Sequence, residues 1–288
     1  MRITDLLNSG GHCLSFEVFP PRQAENYEAV SRAAMEIAAL RPAFMSVTYG
    51  AGGGAGRHTL GIAISGEIQR AYDVPALAHL TCLGADQEQV HAQLRALREA
   101  GMENILALRG DQPAGVDAPA GGFIYAADLI REIESFGGFC VGAACYPEGH
   151  VENPSAASDR LFLKEKERAG ARFFTSQMFF DNGLFYKFLY QIRELGVAAP
   201  VIAGIMPVTN GRQIARICRI SGTYLPVRFR AILDKYGGSP AAMRQAGIIY
   251  ACEQIIDLFA SGLKAVHVYS MNRPDVAKSI WDNLKELL

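Results

Sequence analysis

The sequence predicts an α/β protein folded as a single (β/α)8, or TIM, barrel, with residues 1–288 forming one domain. Three observations predict it. Eight short apolar runs recur along the chain, each followed by a longer stretch of helical periodicity. No linker or low-complexity segment interrupts the alternation. The polar residues of the runs collect at their C-terminal ends, where barrel enzymes build their sites.

The strand candidates are "CLSFEVF" (13–19), "AFMSVTY" (43–49), "ALAHLTC" (76–82), "NILALRG" (104–110), "FCVGAACY" (139–146), "RFFTSQMFF" (172–180), "PVIAGIM" (200–206) and "KAVHVYS" (264–270). Several are apolar nearly throughout, as strands buried on both faces are. Between them the period lengthens. In "EAVSRAAMEIAAL", Val30, Ala33, Ala34, Ile37 and Leu40 share one helical face. "DQEQVHAQLRALREAG" starts at Asp86 as N-cap, with Gln89 completing a capping box, and stops at Gly101. "SAASDRLFLKEKERAG" stops in the same way at Gly170. The stretch 207–263 exceeds one crossover, so extra helices are expected between strands seven and eight. Strict strand–helix alternation demands a parallel sheet covered by helices, and eight units favour closure.

The first strand shows how a site emerges from period 2. Leu14, Phe16 and Val18 share one face and suit the helix layer, while Ser15, Glu17 and Phe19 share the other. Glu17 then points into the barrel mouth, and Pro20–Pro21 stop the strand.

Composition narrows the function. The formal net charge is −1, which offers no field for nucleic acid or a membrane surface. No apolar run reaches the ~18 residues of a membrane span. The N-terminus lacks a signal-peptide pattern, so a cytoplasmic location is expected. Cysteines 13, 82, 140, 145, 218 and 252 form no C-x-x-C, so neither a disulfide framework nor a metal centre is expected. They read as small hydrophobes.

A glycine-rich stretch, "SVTYGAGGGAGRHT" (46–59), imitates a dinucleotide fingerprint: Gly50, Gly52 and Ala55 fit G-x-G-x-x-G/A, and Asp73 follows at a suitable interval. Its context is wrong. A Rossmann loop follows the first strand and its acid ends the next one. This loop follows the second strand candidate, and Asp73 precedes the third. It reads as a βα loop.

Four stretches carry chemistry. In "SFEVFPPR", Glu17 among aromatics and prolines is either a general acid or the partner of Arg22. In "LALRGD", Arg109 and Asp111 either contact a phosphate and an amino-heterocycle or pair with each other. "CYPEGH" offers Tyr146 as a platform and His150 on a turn. "KEKERAGARFFTSQMFFD" puts Lys166 on a helix and Gln177, a primary amide among phenylalanines, at a strand end. A Schiff-base lyase is disfavoured because no strand candidate ends in Lys.

Taken together, "SFEVFPPR", "SVTYGAGG", "AHLTC", "LALRGD", "YPEGH", "AGARFFTSQMFFD", "GIMPV" and "VYSMNR" stand in the order found in bacterial methylenetetrahydrofolate reductases, and the chain resembles that family from about residue 13 to 273. The resemblance implies a barrel that binds FAD without a Rossmann unit. It implies reduction of 5,10-methylenetetrahydrofolate to 5-methyltetrahydrofolate, with NADH or NADPH, or a partner electron-donor subunit, reducing the flavin. The other reading is a flavin-binding relay or docking subunit of a larger reductase. A homo-oligomer is also implied.

Carried over by motif, Glu17 matches the catalytic acid, and Asp111 the residue that binds the pterin and tunes the flavin. Thr48, His79, Arg109, Gly110, Asp111, Tyr125, Ala126, Ala144, Tyr146, His150, Asp159 and Lys166 match FAD contacts. Glu17, Gln177, Tyr269 and Arg273 match substrate contacts, with Arg273 facing the folate carboxylates. Two positions depart from the family: Gly211 stands where some members carry a stacking Phe, and Phe162 where some carry Asn.

Overall fold

A computed structural model describes residues 1–21, 23–48, 55–110, 122–153 and 155–288. Eight parallel strands close into a barrel in chain order: β1 (Cys13–Val18), β2 (Met45–Val47), β3 (Ala76–Thr81), β4 (Asn104–Leu108), β5 (Cys140–Cys145), β6 (Phe173–Ser176), β7 (Val201–Ile205) and β8 (Ala265–Tyr269). Glu17 lies opposite Ser46 on one side and Tyr269 on the other, which closes β1 between β2 and β8. The helices are α1 (Ile3–Leu7), α2 (Tyr27–Ala38), α3 (Ala55–Tyr72), α4 (Gln87–Glu99), α5 (Ala126–Phe136), α6 (Ala156–Ala169), α7 (Asn182–Glu194), α8 (Gly211–Ser221), α9 (Val227–Tyr236), α10 (Pro240–Ala260) and α11 (Pro274–Leu284).

Each expected strand forms, and α8, α9 and α10 are the extra helices before β8. The run 172–180 ends early. The chain leaves the sheet after Ser176, and Phe180 stacks on Phe229 of α9 with ring centroids 4.9 Å apart. The Asp86 capping box is present, with the Gln89 amide on the aspartate and the Asp86 amide on the glutamine oxygen.

Alternation divides the strands' side chains between two cores, and a third lies under α8, α9 and α10. Leu14, Phe16 and Val18 pack between sheet and helices with Ile37, Leu129 and Ile280. Inside the barrel floor, Cys13, Phe44, Leu77, Leu106, Phe173 and Ile202 form a second core. Helix α1, which the periodicity did not predict, plugs that floor. Ile3 is fully buried there, and its amide donates to Asn104 Oδ1 at 2.9 Å. Five residues are too few to show an amphipathic period.

All six cysteines are free and buried. Burial pushes the Cys82 thiol up to about 12 and the Cys218 and Cys252 thiols up to about 11, so they pack as hydrophobes. Among the described residues no helix is long and apolar enough to cross a membrane.

At Gly247, α10 passes close to the segment that follows β7. A Cβ there would sit 1.9 Å from the Val208 carbonyl oxygen, a backbone atom that no rotamer change can move. Gly247→Ala is expected to destabilise the protein by about 1–3 kcal/mol or more, as overpacking does. A urea midpoint equal to that of the parent would refute this.

Candidate functional site

Two cavities open at the C-terminal end of the barrel and share Leu108, Ala144 and Tyr146. The mouth, about 470 Å³, is lined by Glu17, Thr48, His79, Thr175, Gln177 and Tyr269 among others. The side cavity, about 280 Å³, lies between the ends of β4 and β5 and helices α5 and α6. Arg109, Tyr125, Ala126, Tyr146, His150, Asp159 and Lys166 line it. Together they form one elongated groove from barrel axis to rim.

Glu17 sits where period 2 puts it, and its surroundings decide what it can do. The Ser46 hydroxyl donates to its Oε2 at 3.4 Å, and His79 Nε2 and His267 Nε2 lie 3.7 and 3.9 Å from the same oxygen. Arg22 is outside the described residues. His79 is buried, and burial pushes its imidazole down to about 4, against the opposing pull of Glu17. It is therefore neutral at pH 7. Its Nε2 and Thr175 Oγ1 are buried without a hydrogen-bond partner among the described residues, as expected of polar atoms that await a bound group.

The side cavity sets Arg109 and Lys166 beside aromatic rings, with Glu152, Asp159 and Glu165 in the same lining. Arg109 reaches in from the end of β4 and pairs with Glu152 at 2.6 Å. Lys166, on α6, donates to the Ala144 carbonyl at 2.9 Å and lies 6.0 Å from the Tyr146 ring centroid. Burial pulls its ammonium down, while Asp159 holds it up. Ala126 opens α5, so the first free amides of that helix border the cavity. His150 meets Tyr146 edge to face at 4.7 Å. Phe162 faces Tyr125 at the rim, centroids 6.5 Å apart and planes 14° from parallel. Phe162 thus puts an aromatic face on this rim.

At the mouth, the Gln177 side-chain oxygen accepts the Met178 amide at 2.9 Å. Burial pushes the Tyr269 phenol well up, and its hydroxyl donates to the Ser176 carbonyl at 2.6 Å. Arg273 is not among the residues that line either cavity. It precedes α11 and holds Asp275 through two contacts of 2.9 Å. Gly110, two residues past the end of β4, has φ +87°, and a Cβ there would meet Thr81 at 3.2 Å. Asp111 and the glycines 50 and 52–54 are outside the described residues; Thr48 lies at the root of that loop and lines the mouth.

Gly211 has a packing reason. A Cβ there would meet Gly237 Cα at 2.8 Å, so the start of α8 leaves no room for an aromatic side chain. The apolar wall is supplied instead by Met178, Met206, Ile217 and Ile220. These residues, with Ser46 and His267, escaped the sequence reading. They lie on elements whose spatial neighbours no local pattern specifies.

Comparison with known proteins follows this geometry. The family profile "Methylenetetrahydrofolate reductase" matches residues 2–285. A 5,10-methylenetetrahydrofolate reductase of Escherichia coli is 32% identical over 94% of this chain and 90% of its own length. Methylenetetrahydrofolate reductase (NADH) 1 of Zea mays is 33% identical over 98% of this chain, which spans 50% of that plant protein. A solved structure titled "Uncharacterized protein from Clostridium thermocellum binds two copies of 5-methyl-5,6,7,8-tetrahydrofolic acid" covers both chains fully at a TM-score of 0.62 and 13% identity, which speaks for the fold alone. By the profile and by these relatives, the chain belongs to the methylenetetrahydrofolate reductase family.

Proposed function

We propose that residues 1–288 act as one domain that reduces 5,10-methylenetetrahydrofolate to 5-methyltetrahydrofolate with FAD as cofactor and NADH or NADPH as donor. The observation that carries this reading is the joined groove: an acid faces the mouth at one end, and two cations line a side cavity at the other. The groove's chemistry suits FAD. Arg109, Lys166 and the α5 amides complement its diphosphate, and Tyr125, Phe162 and Tyr146 offer ring faces. His79 Nε2, which has no hydrogen-bond partner among the described residues, supports a polar ring system in the mouth. Reduced FAD, when bound, would supply the hydride.

This chain's own residues then have defined tasks. Glu17 gives a proton to the bridging nitrogen of the folate, which opens the five-membered ring to an iminium able to accept hydride. Gln177 stands at the mouth with a primary amide for the polar edge of the pterin. The Met178–Met206–Ile217–Ile220 wall excludes water from the remaining face.

The test is anaerobic and spectroscopic. Purified protein loaded with FAD is expected to bleach on adding NADH or NADPH and to recover its colour on adding methylenetetrahydrofolate. Protein that takes up no FAD would sink the reading. Protein that takes up FAD but bleaches only with a second protein present would favour the relay-subunit alternative.

A further inference from the structure

One polar side chain of the mouth has no task in the proposed reaction. Along β6 the side chains alternate: Phe173 joins the core of the barrel floor, Phe174 joins the outer core, and Thr175 lines the mouth. Thr175 therefore stands about 7 Å above Phe173, at the bottom of that cavity. It is 5% exposed, and its Oγ1 is buried with no hydrogen-bond partner among the described residues. Its strand neighbours are Ala144 of β5 and Ile202 of β7, whose side chains offer none.

The polar groups around it are engaged elsewhere. Ser176 Oγ donates to the Gln177 carbonyl at 2.9 Å and accepts the Gly204 amide at 2.9 Å. The Ser176 carbonyl accepts the Tyr269 hydroxyl, and the Ala144 carbonyl accepts the Lys166 ammonium. The Gln177 side-chain oxygen holds the Met178 amide. A buried hydroxyl without a partner lowers the stability of a fold, and valine would fill the same space without that loss. His79 Nε2 on β3 is the other such atom in the lining, so this cavity holds two buried polar groups that no described residue satisfies.

We propose that the Thr175 hydroxyl donates a hydrogen bond to a ring carbonyl or ring nitrogen of the heterocycle that enters the mouth, and so sets how deep that ring rests. The inference rests on the reading that the mouth takes flavin and folate. Flavin and pterin both present a fused pyrimidine edge with acceptors of this kind, so the recognising chemistry is the same and the experiment separates the two sources. A threonine hydroxyl needs one acceptor and no charge to do this. Thr175 is thus a binding residue that fixes depth, while Gln177, one inward position further along the chain, meets the ring nearer the rim.

The experiment compares Thr175→Val, which keeps the shape and loses the hydroxyl, with Thr175→Ser, which keeps the hydroxyl. FAD titrated into FAD-free protein, followed by quenching of flavin fluorescence, gives one dissociation constant. Unreduced folate titrated into oxidised protein saturated with FAD, followed by the flavin absorption spectrum, gives the other. Thr175→Val should weaken at least one of the two by about fivefold or more, and Thr175→Ser should stay within about twofold of the parent. A weakened FAD constant assigns the hydroxyl to the flavin edge, and a weakened folate constant alone assigns it to the pterin edge. FAD-free Thr175→Val should also unfold in urea at a midpoint equal to or above the parent's, because it no longer buries an unpaired hydroxyl. A lower midpoint with both constants unchanged would make the hydroxyl structural and overturn the proposal. Parental constants at a parental midpoint would overturn it too, and leave the hydroxyl to a buried water. Should Thr175→Val fail to fold, Thr175→Ala against Thr175→Ser makes the same comparison. A parent protein that binds neither FAD nor folate would instead overturn the reading beneath it.

Discussion

Glu17→Gln is expected to slow methylenetetrahydrofolate reduction by about 10²–10⁴-fold, the usual contribution of a positioned general acid. The amide matches the carboxyl in shape and can still accept the Ser46 hydroxyl, so the barrel should fold and the groove should keep its form. What the amide cannot do is release a proton to the bridging nitrogen. Flavin loading should be unaffected, because the cations of the side cavity lie on other strands and helices. Stopped-flow oxidation of the reduced flavin by methylenetetrahydrofolate measures the step directly. A variant within about threefold of the parent would remove Glu17 from the acid role.

The second large effect is a pH dependence of stability in the FAD-free protein. His79 is held down to about 4 by burial, against 6.5 for the ordinary imidazole. Between these values the unfolded chain binds a proton that the native chain refuses. Stability therefore rises with pH across this window and falls as the pH drops from about 6.5 toward 4, with no further loss below that. At 1.36 kcal/mol per unit, the full loss is about 3 kcal/mol, and about 2 kcal/mol is reached by pH 5. Carboxylates titrate in the lower part of the window, so the difference between parent and His79→Gln is the quantity to follow. Urea unfolding at pH 7 and pH 5 should show the parent losing about 2 kcal/mol more than the variant. Equal losses would mean that the native mouth hydrates His79 enough to protonate it.

Much of the candidate site was legible because strand periodicity is local. Ser15–Glu17 on one face and Leu14–Phe16–Val18 on the other follow from alternation alone, and the structure keeps both assignments. The polar residues at the ends of β1, β3, β4, β5 and β6 reach one rim because parallel strands all point the same way. Arg273, which the sequence resemblance sets beside the folate carboxylates, pairs in this structure with Asp275, two residues on, and lines neither cavity. A side chain that long is placed by its nearest counter-charge as much as by its position in the chain.

The sequence by itself determined that eight strands alternate with helices, which faces they bury, and which stretches end in chemistry-bearing residues. These features depend on contacts a few residues apart. Only the tertiary structure decided that His267 and Ser46, 221 positions apart, meet behind Glu17, because barrel closure lays β8 and β2 on either side of β1. It also decided that Gly211 faces Gly237 too closely for any side chain, and that methionines and isoleucines wall the mouth instead. The physical reason is the same in each case. Backbone propensity acts over a turn or a strand, whereas a site is assembled from strand ends whose register is set when the sheet closes.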